Sequence, residues 1–167
     1  MVKLSYSSPL GNLVLIAHRG ALVYCNWDSQ DCLSKQLYIE KSLDNEHYYN
    51  DRFVLEESSR QLDEYFSGKR REFNLPLRLA DTDFREKVWS NLRKIACGET
   101  ISYKQLAQMC GSPNGYRCVA NACGLNPIAI IIPCHRVVAS NGKVGGYTGG
   151  VDKKKILLHL ENEGLKP

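Results

Sequence analysis

The residues best suited to chemistry in this chain are Pro133-Cys134-His135-Arg136-Val137. They follow Ile128 to Ile132, a continuous apolar run that reads as a buried strand. A cysteine placed directly after a proline at the end of such a strand is held rigidly. A neighbouring imidazole can keep it partly thiolate, which is the nucleophilic form. Adjacent side chains in a strand point to opposite faces. His135 therefore serves Cys134 only if the backbone turns there or a water bridges the two. Glu161 is the third member. Lys153 to Leu160 has helical spacing, with Ile156, Leu157 and Leu160 on a core stripe. Glu161 lies four residues after Leu157, on the same stripe. A carboxylate aimed into a core needs a partner, and an imidazole is a good one. Cys134, His135 and Glu161 then read as nucleophile, base and orienting group. The competing readings are a buried structural cysteine and a helix-end glutamate reaching water.

The flanking elements must position these groups. Gly145-Gly146-Tyr147-Thr148-Gly149-Gly150 places one aromatic amid four glycines. Such a permissive loop suits the wall of a flat pocket beside the thiol. Upstream, Thr82 to Ile95 reads as an amphipathic helix with Phe84, Val88, Leu92 and Ile95 on one face. Ser102 opens a second helix through a capping box with Gln105, and Leu106 and Met109 supply its buried side. Gly111 to Gly115 is a turn by composition. A third helix, Tyr116 to Gly124, ends before Asn126-Pro127. Helix, short glycine-containing turn, helix is an arrangement used to read DNA. Val119, Ala122 and Cys123 form the inner face of the third helix. Arg117, Ala120, Asn121 and Gly124 form the outer face, with one long cation among small side chains. That composition fits close approach to a phosphate backbone or groove, and equally fits tight packing within a protein.

Charge is compatible with the first option, and equally with chance and solubility. The chain of 167 residues carries +4 overall. Residues 1–80 hold 10 basic and 11 acidic side chains, against 12 and 7 in residues 81–167. No acid occurs between Glu99 and Asp152, a stretch that carries Lys104, Arg117, Arg136 and Lys143. An acid-free segment with scattered bases suits a polyanion. The composition, 43% apolar and 24% charged, is that of a globular protein. No apolar run reaches the roughly 18 residues of a membrane span, and no signal peptide is expected at Met1 to Ser8. Seven cysteines without a CxxC pair read as reduced thiols in the cytoplasm. A zinc site from His18, Cys25, Cys32 and His47 is conceivable but matches no standard ligand spacing.

The first half reads as mixed α/β. Leu4–Tyr6, Leu13–Ala17 and Ala21–Trp27 are strand-like. Val54 to Phe66 has helical spacing and is stopped by Gly68. Phe73 to Leu77 reads as a short strand before a linker, Arg78 to Asp81. The expected domains are a supporting α/β domain over 1–80 and a DNA-binding domain over 81–167.

Ile132-Pro133-Cys134-His135-Arg136-Val137, with Asn126-Pro127 upstream and Gly146-Tyr147-Thr148-Gly149-Gly150 downstream, resembles the O6-alkylguanine-DNA alkyltransferases. The resemblance covers about Phe84 to Glu161. It implies an α/β (α+β) protein with a small N-terminal domain of ribonuclease-H-like shape and a C-terminal winged helix-turn-helix domain. It further implies direct repair of duplex DNA carrying O6-alkylguanine, by a monomer without cofactor, metal or obligate protein partner. Cys134 matches the alkyl acceptor. His135, through a water, and Glu161 match the residues that activate it. Asn126 matches the residue bracing the turn between recognition helix and acceptor. Tyr103 matches a tyrosine that rotates the target phosphate and donates a proton to the departing guanine. Arg117 matches a finger filling the space of the extruded nucleotide. Val137, Tyr147, Thr148 and Gly149 match pocket positions. Two positions depart from the family pattern: Ala120 stands where glycine is usual, and Cys123 stands beside the pocket where asparagine or methionine is more frequent. The alternatives are a protein that recognises the lesion without removing it, a cysteine hydrolase using Cys134, His135 and Glu161, and a winged-helix transcription factor.

Overall fold

In a computed structural model, residues 1–28 and 48–163 are described. The chain divides into two compact units, Met1–Arg78 and Leu79–Pro167.

The first unit is an antiparallel sheet of three strands in sequence order, β1 (Val2–Ser8), β2 (Gly11–His18) and β3 (Ala21–Trp27), with the long helix α1 (Tyr48–Phe66) packed against it. Arg19 and Gly20, both at positive φ, form the two-residue turn between β2 and β3. Two consecutive positive φ values match the right-handed twist of a hairpin. The middle strand is buried at every position from Leu13 to Ala17. Asp51 of α1 is fully buried and accepts the Gly20 amide at 2.6 Å, which ties the helix to the hairpin. Tyr6 donates to Asp63 at 2.7 Å from the sheet side. Leu55, Leu62 and Phe66 are buried as their spacing requires, and Gly68 takes a positive φ just beyond the helix. Phe73 to Leu77 is not a strand. Pro76 removes a ladder donor, and pairing shrinks to one parallel bridge between Leu22 and Leu77. Cys32 and His47, two of the four conceivable zinc ligands, lie outside the described residues.

The second unit contains α2 (Asp83–Leu92), β4 (Ile101–Ser102), α3 (Tyr103–Met109), α4 (Tyr116–Gly124), β5 (Val137–Val138) and α5 (Val151–Glu163). Thr82 caps α2, and the turns that follow carry Ile95 back into the core. Trp89 of α2 is buried and donates its indole N–H to the Ala122 carbonyl at 2.9 Å, fixing α2 on α4. Ser102 and Gln105 form the capping box that opens α3, at 3.1 and 2.7 Å. Substituting Ser102 by alanine is expected to cost about 1 kcal/mol. Urea unfolding should show this as a lower midpoint with an unchanged slope. The inner side of α3 is Leu106, Ala107 and then Cys110, not Met109, which is exposed because the helix ends there.

A short parallel ladder, Ile101↔Val137 and Ser102↔Val138, sits beside the α3–α4 helix-turn-helix. Its consequence is positional. It sets Tyr103, the first residue of α3, next to the segment that carries Cys134. Among the described residues no helix is long and apolar enough to cross a membrane.

Candidate active site

Ile128 to Ile132 is buried throughout, but it is a tight turn and not a strand. Ile130 takes φ +70 and the Ile132 amide donates to the Ile128 carbonyl at 3.0 Å. Burial on all sides removes the periodicity that separates strand from coil. The turn is held by Asn126, itself buried. Its side-chain oxygen accepts the Ile128 amide at 3.0 Å, and its Nδ2 donates to the Ile132 carbonyl at 2.7 Å. The same Nδ2 lies 3.2 Å from Cys134 Sγ. One amide therefore shapes the backbone that delivers the thiol and also donates to the sulfur.

Cys134–Arg136 is a single turn of 3₁₀ helix. That turn removes the difficulty of a cysteine and histidine on opposite faces of a strand. His135 is completely buried, and its Nε2 lies 2.7 Å from Glu161 Oε1. A carboxylate can only accept, so Nε2 carries the proton and Nδ1 presents a lone pair. Nδ1 is buried with no hydrogen-bond partner among the described residues. Burial holds the imidazole pKa below its ordinary value despite the raising effect of Glu161, so His135 is neutral at pH 7. An imidazole locked in one tautomer, with a bare nitrogen, is a base in waiting.

Glu161 is a junction. Burial pushes its carboxyl up, but the hydrogen bonds from His135 and Arg136 and the Arg136 charge outweigh this and hold it well below the carboxylate range. Arg136 Nε donates to Oε2 and Nη2 to Oε1, both at 2.9 Å. Arg136 Nη1 donates to the Ile95 carbonyl at 2.5 Å, and the Gly98 amide reaches Oε2 at 3.3 Å. Arg136 is thus buried and committed to an internal ion pair. It is not one of the scattered surface bases that the charge pattern suggests.

The core stripe of α5 also differs from expectation. Ile156 is 43% exposed, and Lys154 is fully buried in its place, with Leu157, Leu160 and Glu161. Lys154 Nζ donates to the Val137 carbonyl at 2.7 Å and to the Gly146 carbonyl at 3.2 Å. It also sits 5.7 Å from the centre of the Tyr103 ring. Lys154 and Arg136 are the two residues of this region that sequence reasoning missed. A signal existed for the lysine: positions 154, 157 and 161 share one helical face. An apolar-first reading passes over a cation on that stripe.

Cys134 lies in the wall of an open cleft of about 540 Å³, lined also by Tyr103, Ala120, Cys123, Gly124, Gly146, Tyr147 and Thr148. Val137 is fully buried, and neither it nor Gly149 is among the residues lining the cleft. The Tyr147 ring stands edge-on to His135 at 6.5 Å. Thr148 donates to the Gly124 carbonyl at 3.0 Å, joining the glycine-rich loop to the end of α4. Burial raises the Cys134 thiol pKa, and the Asn126 donor and the Lys154 charge oppose this only in part. The resting sulfur is a protonated thiol. The Tyr103 phenol is pushed up to about 12, first by burial and then by Cys123 and Cys134.

On α4, Val119, Ala122 and Cys123 are buried, and Arg117, Asn121 and Gly124 are exposed, with Ala120 between. A side chain built on Gly124 would meet nothing within 4 Å. Tight packing inside the protein therefore does not explain that glycine. The Cys134 thiol and the neutral Tyr103 phenol thus share one cleft beside an exposed helix, and the residue next to Cys134 in the chain is a buried imidazole held by a carboxylate. The arrangement can bring a thiolate to a small electrophile attached to a larger flat group.

Comparison with known proteins gives the setting. Residues 83–163 match the family model for the 6-O-methylguanine DNA methyltransferase DNA binding domain, and residues 1–79 match that for its ribonuclease-like domain. The chain is 42% identical over 159 residues to the methylated-DNA–protein-cysteine methyltransferase of Methanosarcina barkeri, covering 95% of this chain and 96% of the relative. It is 41% identical over 154 residues to the protein of that name from Mycobacterium tuberculosis, covering 92% and 88%. The fold is similar to a crystal structure of Mycobacterium tuberculosis OGT in complex with DNA. The TM-score is 0.79 at 37% identity, over 96% of this chain and 92% of the other.

Proposed function

The chain belongs to the 6-O-methylguanine DNA methyltransferase family, and we propose that it repairs duplex DNA by moving an alkyl group from guanine O6 to Cys134, once per molecule. The observation that carries this is Cys134 Sγ in a cleft beside the exposed face of α4, with a neutral His135 held on Glu161 behind it. A lesion inside a duplex cannot reach a buried thiol, so the nucleotide must leave the stack. Unstacking costs a few kcal/mol, and Arg117, exposed at the start of α4, offsets part of that from the vacated space. His135 Nδ1 takes the Cys134 proton by way of a water. The thiolate attacks the alkyl carbon; the S–C bond forms as the C–O6 bond breaks. Tyr103 keeps its proton to high pH and so has one to donate toward the departing guanine. The product is a thioether on Cys134, and neither His135 nor Tyr103 has a chemical route to cleave it. The reading takes the chain to act as a monomer in the cytoplasm.

Intact mass after mixing with a short duplex carrying one O6-methylguanine tests the reading. One methyl group gained, mapped to Cys134 and saturating at one per chain, is the expected result. Tight binding to that duplex without any gain would leave lesion recognition alone. No gain and no binding would leave hydrolase chemistry to be tested next. Arg117→Ala is expected to slow single-turnover repair of duplex by roughly one to two powers of ten, or about 1.4–2.8 kcal/mol. Repair of the same lesion in single-stranded DNA should change far less, because little stacking opposes extrusion there. An equal loss on both substrates would remove the finger role.

A further inference from the structure

Alkyl transfer gives Cys123 no task, yet it shares the cleft with the acceptor. Both thiols line the same opening, and each is only 5% exposed. Asn126 ties the two residues together. Its main-chain N–H donates to the Cys123 carbonyl at 3.3 Å, and its side-chain Nδ2 lies 3.2 Å from Cys134 Sγ. The end of α4 and the acceptor turn are therefore anchored to one residue between them. The charge environment agrees with closeness. Cys134 raises the cost of ionising Cys123, Tyr103 is influenced by both sulfurs, and the Lys154 ammonium by both thiols.

A single-use acceptor has a chemical weakness. Oxidation of its sulfur past the sulfenic acid is irreversible, and that destroys a molecule which has repaired nothing. A second thiol in the same cleft can intercept the sulfenic acid before it goes further. We propose that Cys123 is a resolving cysteine, and that peroxide converts the free protein to a reversible Cys123–Cys134 disulfide in which the acceptor is silent but preserved. The atoms and electrons balance in two steps. The thiolate of one residue attacks hydrogen peroxide, taking one oxygen as sulfenic acid and releasing water. The other sulfur then attacks the sulfenic sulfur and expels a second water. Two thiols lose two electrons, peroxide gains them, and no further reactant is needed. A dithiol reductant reverses the product by thiol–disulfide exchange. Closing the bridge fills the cleft where the extruded base would sit, so the oxidised form is also unable to accept a nucleotide.

The test is peroxide treatment of the full chain without DNA, then capping of free thiols and peptide mass mapping. The expected result is a loss of about 2 Da confined to a peptide pair linking Cys123 to Cys134, restored by dithiothreitol. In Cys123→Ser the same treatment should carry Cys134 on to the sulfinic acid, a gain of about 32 Da that dithiothreitol does not reverse. Two results would overturn the proposal. One is wild-type Cys134 reaching the sulfinic acid while Cys123 remains a free thiol. The other is a bridge joining Cys134 to some other cysteine. The wild-type map decides the matter even where the serine variant folds poorly. It involves no alkylated DNA, so its failure leaves the alkyltransferase reading untouched.

Discussion

Cys134→Ala is expected to abolish methyl transfer while leaving the protein folded and able to bind lesion-bearing duplex. The fold should survive because the change removes one sulfur from a cleft wall and breaks no charged pair. Asn126 Nδ2 loses the sulfur as acceptor but keeps the Ile132 carbonyl at 2.7 Å, so the turn that presents residue 134 keeps its brace. A loss of about 1 kcal/mol is the right order for such a small deletion. Transfer should fall below detection because the reaction consumes the nucleophile and no other group can replace it. Cys123 lines the same cleft, but burial raises its thiol strongly and it has no counterpart of the Asn126 Nδ2 donor in its favour. The check is paired: intact mass over hours in excess O6-methylguanine duplex, and a binding titration on that duplex at fixed salt. Any methyl appearing on Cys123 in the variant would show that the cleft, and not the His135–Glu161 system, selects the acceptor. Loss of binding would show that the sulfur itself holds the lesion.

The elements of the helix-turn-helix were readable in the sequence because each carries a local chemical mark. Ser102 and Gln105 announce a capping box, Gly111 to Gly115 a turn, and the inner and outer faces of Tyr116–Gly124 differ in kind. The three strands of the first unit were readable from strand-prone residues bounded by turns. What could not be read is what depends on side chains meeting across the fold. Ile128–Ile132 has an apolar residue at every place, so its periodicity says nothing. Its conformation is decided by Asn126, whose amide supplies hydrogen bonds that a neighbouring strand would otherwise give. Likewise Arg136 and Lys154 look like surface cations by type. Only the tertiary structure shows that Arg136 holds Glu161 and that Lys154 fastens the Val137 and Gly146 carbonyls together. The pairing of His135 with Glu161 was legible for a related reason. A carboxylate on a core stripe demands a partner, and the sequence offers an imidazole beside the thiol.

Glu161→Ala is expected to damage stability and rate together, and the size of the two losses separates their causes. Glu161 is 4% exposed and satisfies three groups: the His135 imidazole, both faces of the Arg136 guanidinium fork, and the Gly98 amide. Removing it leaves a buried guanidinium without its counter-ion, which typically costs about 3–5 kcal/mol. It also frees the imidazole to rotate and exchange tautomers, so Nδ1 is no longer reliably the base. Glu161→Gln keeps the volume and one acceptor but loses the charge. It should therefore fold better than the alanine variant and still transfer slowly. The pH dependence follows from the same groups. Glu161 is depressed below its ordinary value of 4.5, so its contribution is complete above that value and is lost as acid protonates it. His135 is depressed below 6.5, so the unfolded chain takes up the proton first, and stability falls as pH drops below 6.5. Both act in one direction. Wild-type stability should decline from about pH 6.5 downward, and further below about 4.5. In Glu161→Gln the second decline should flatten while the first persists. Urea midpoints of the two proteins between about pH 2 and 8 measure this directly. Parallel curves over the whole range would mean that the buried carboxylate is not what acid disrupts. The geometry that makes His135 a base would then rest on packing alone, and Glu161→Gln should transfer alkyl groups at close to the wild-type rate.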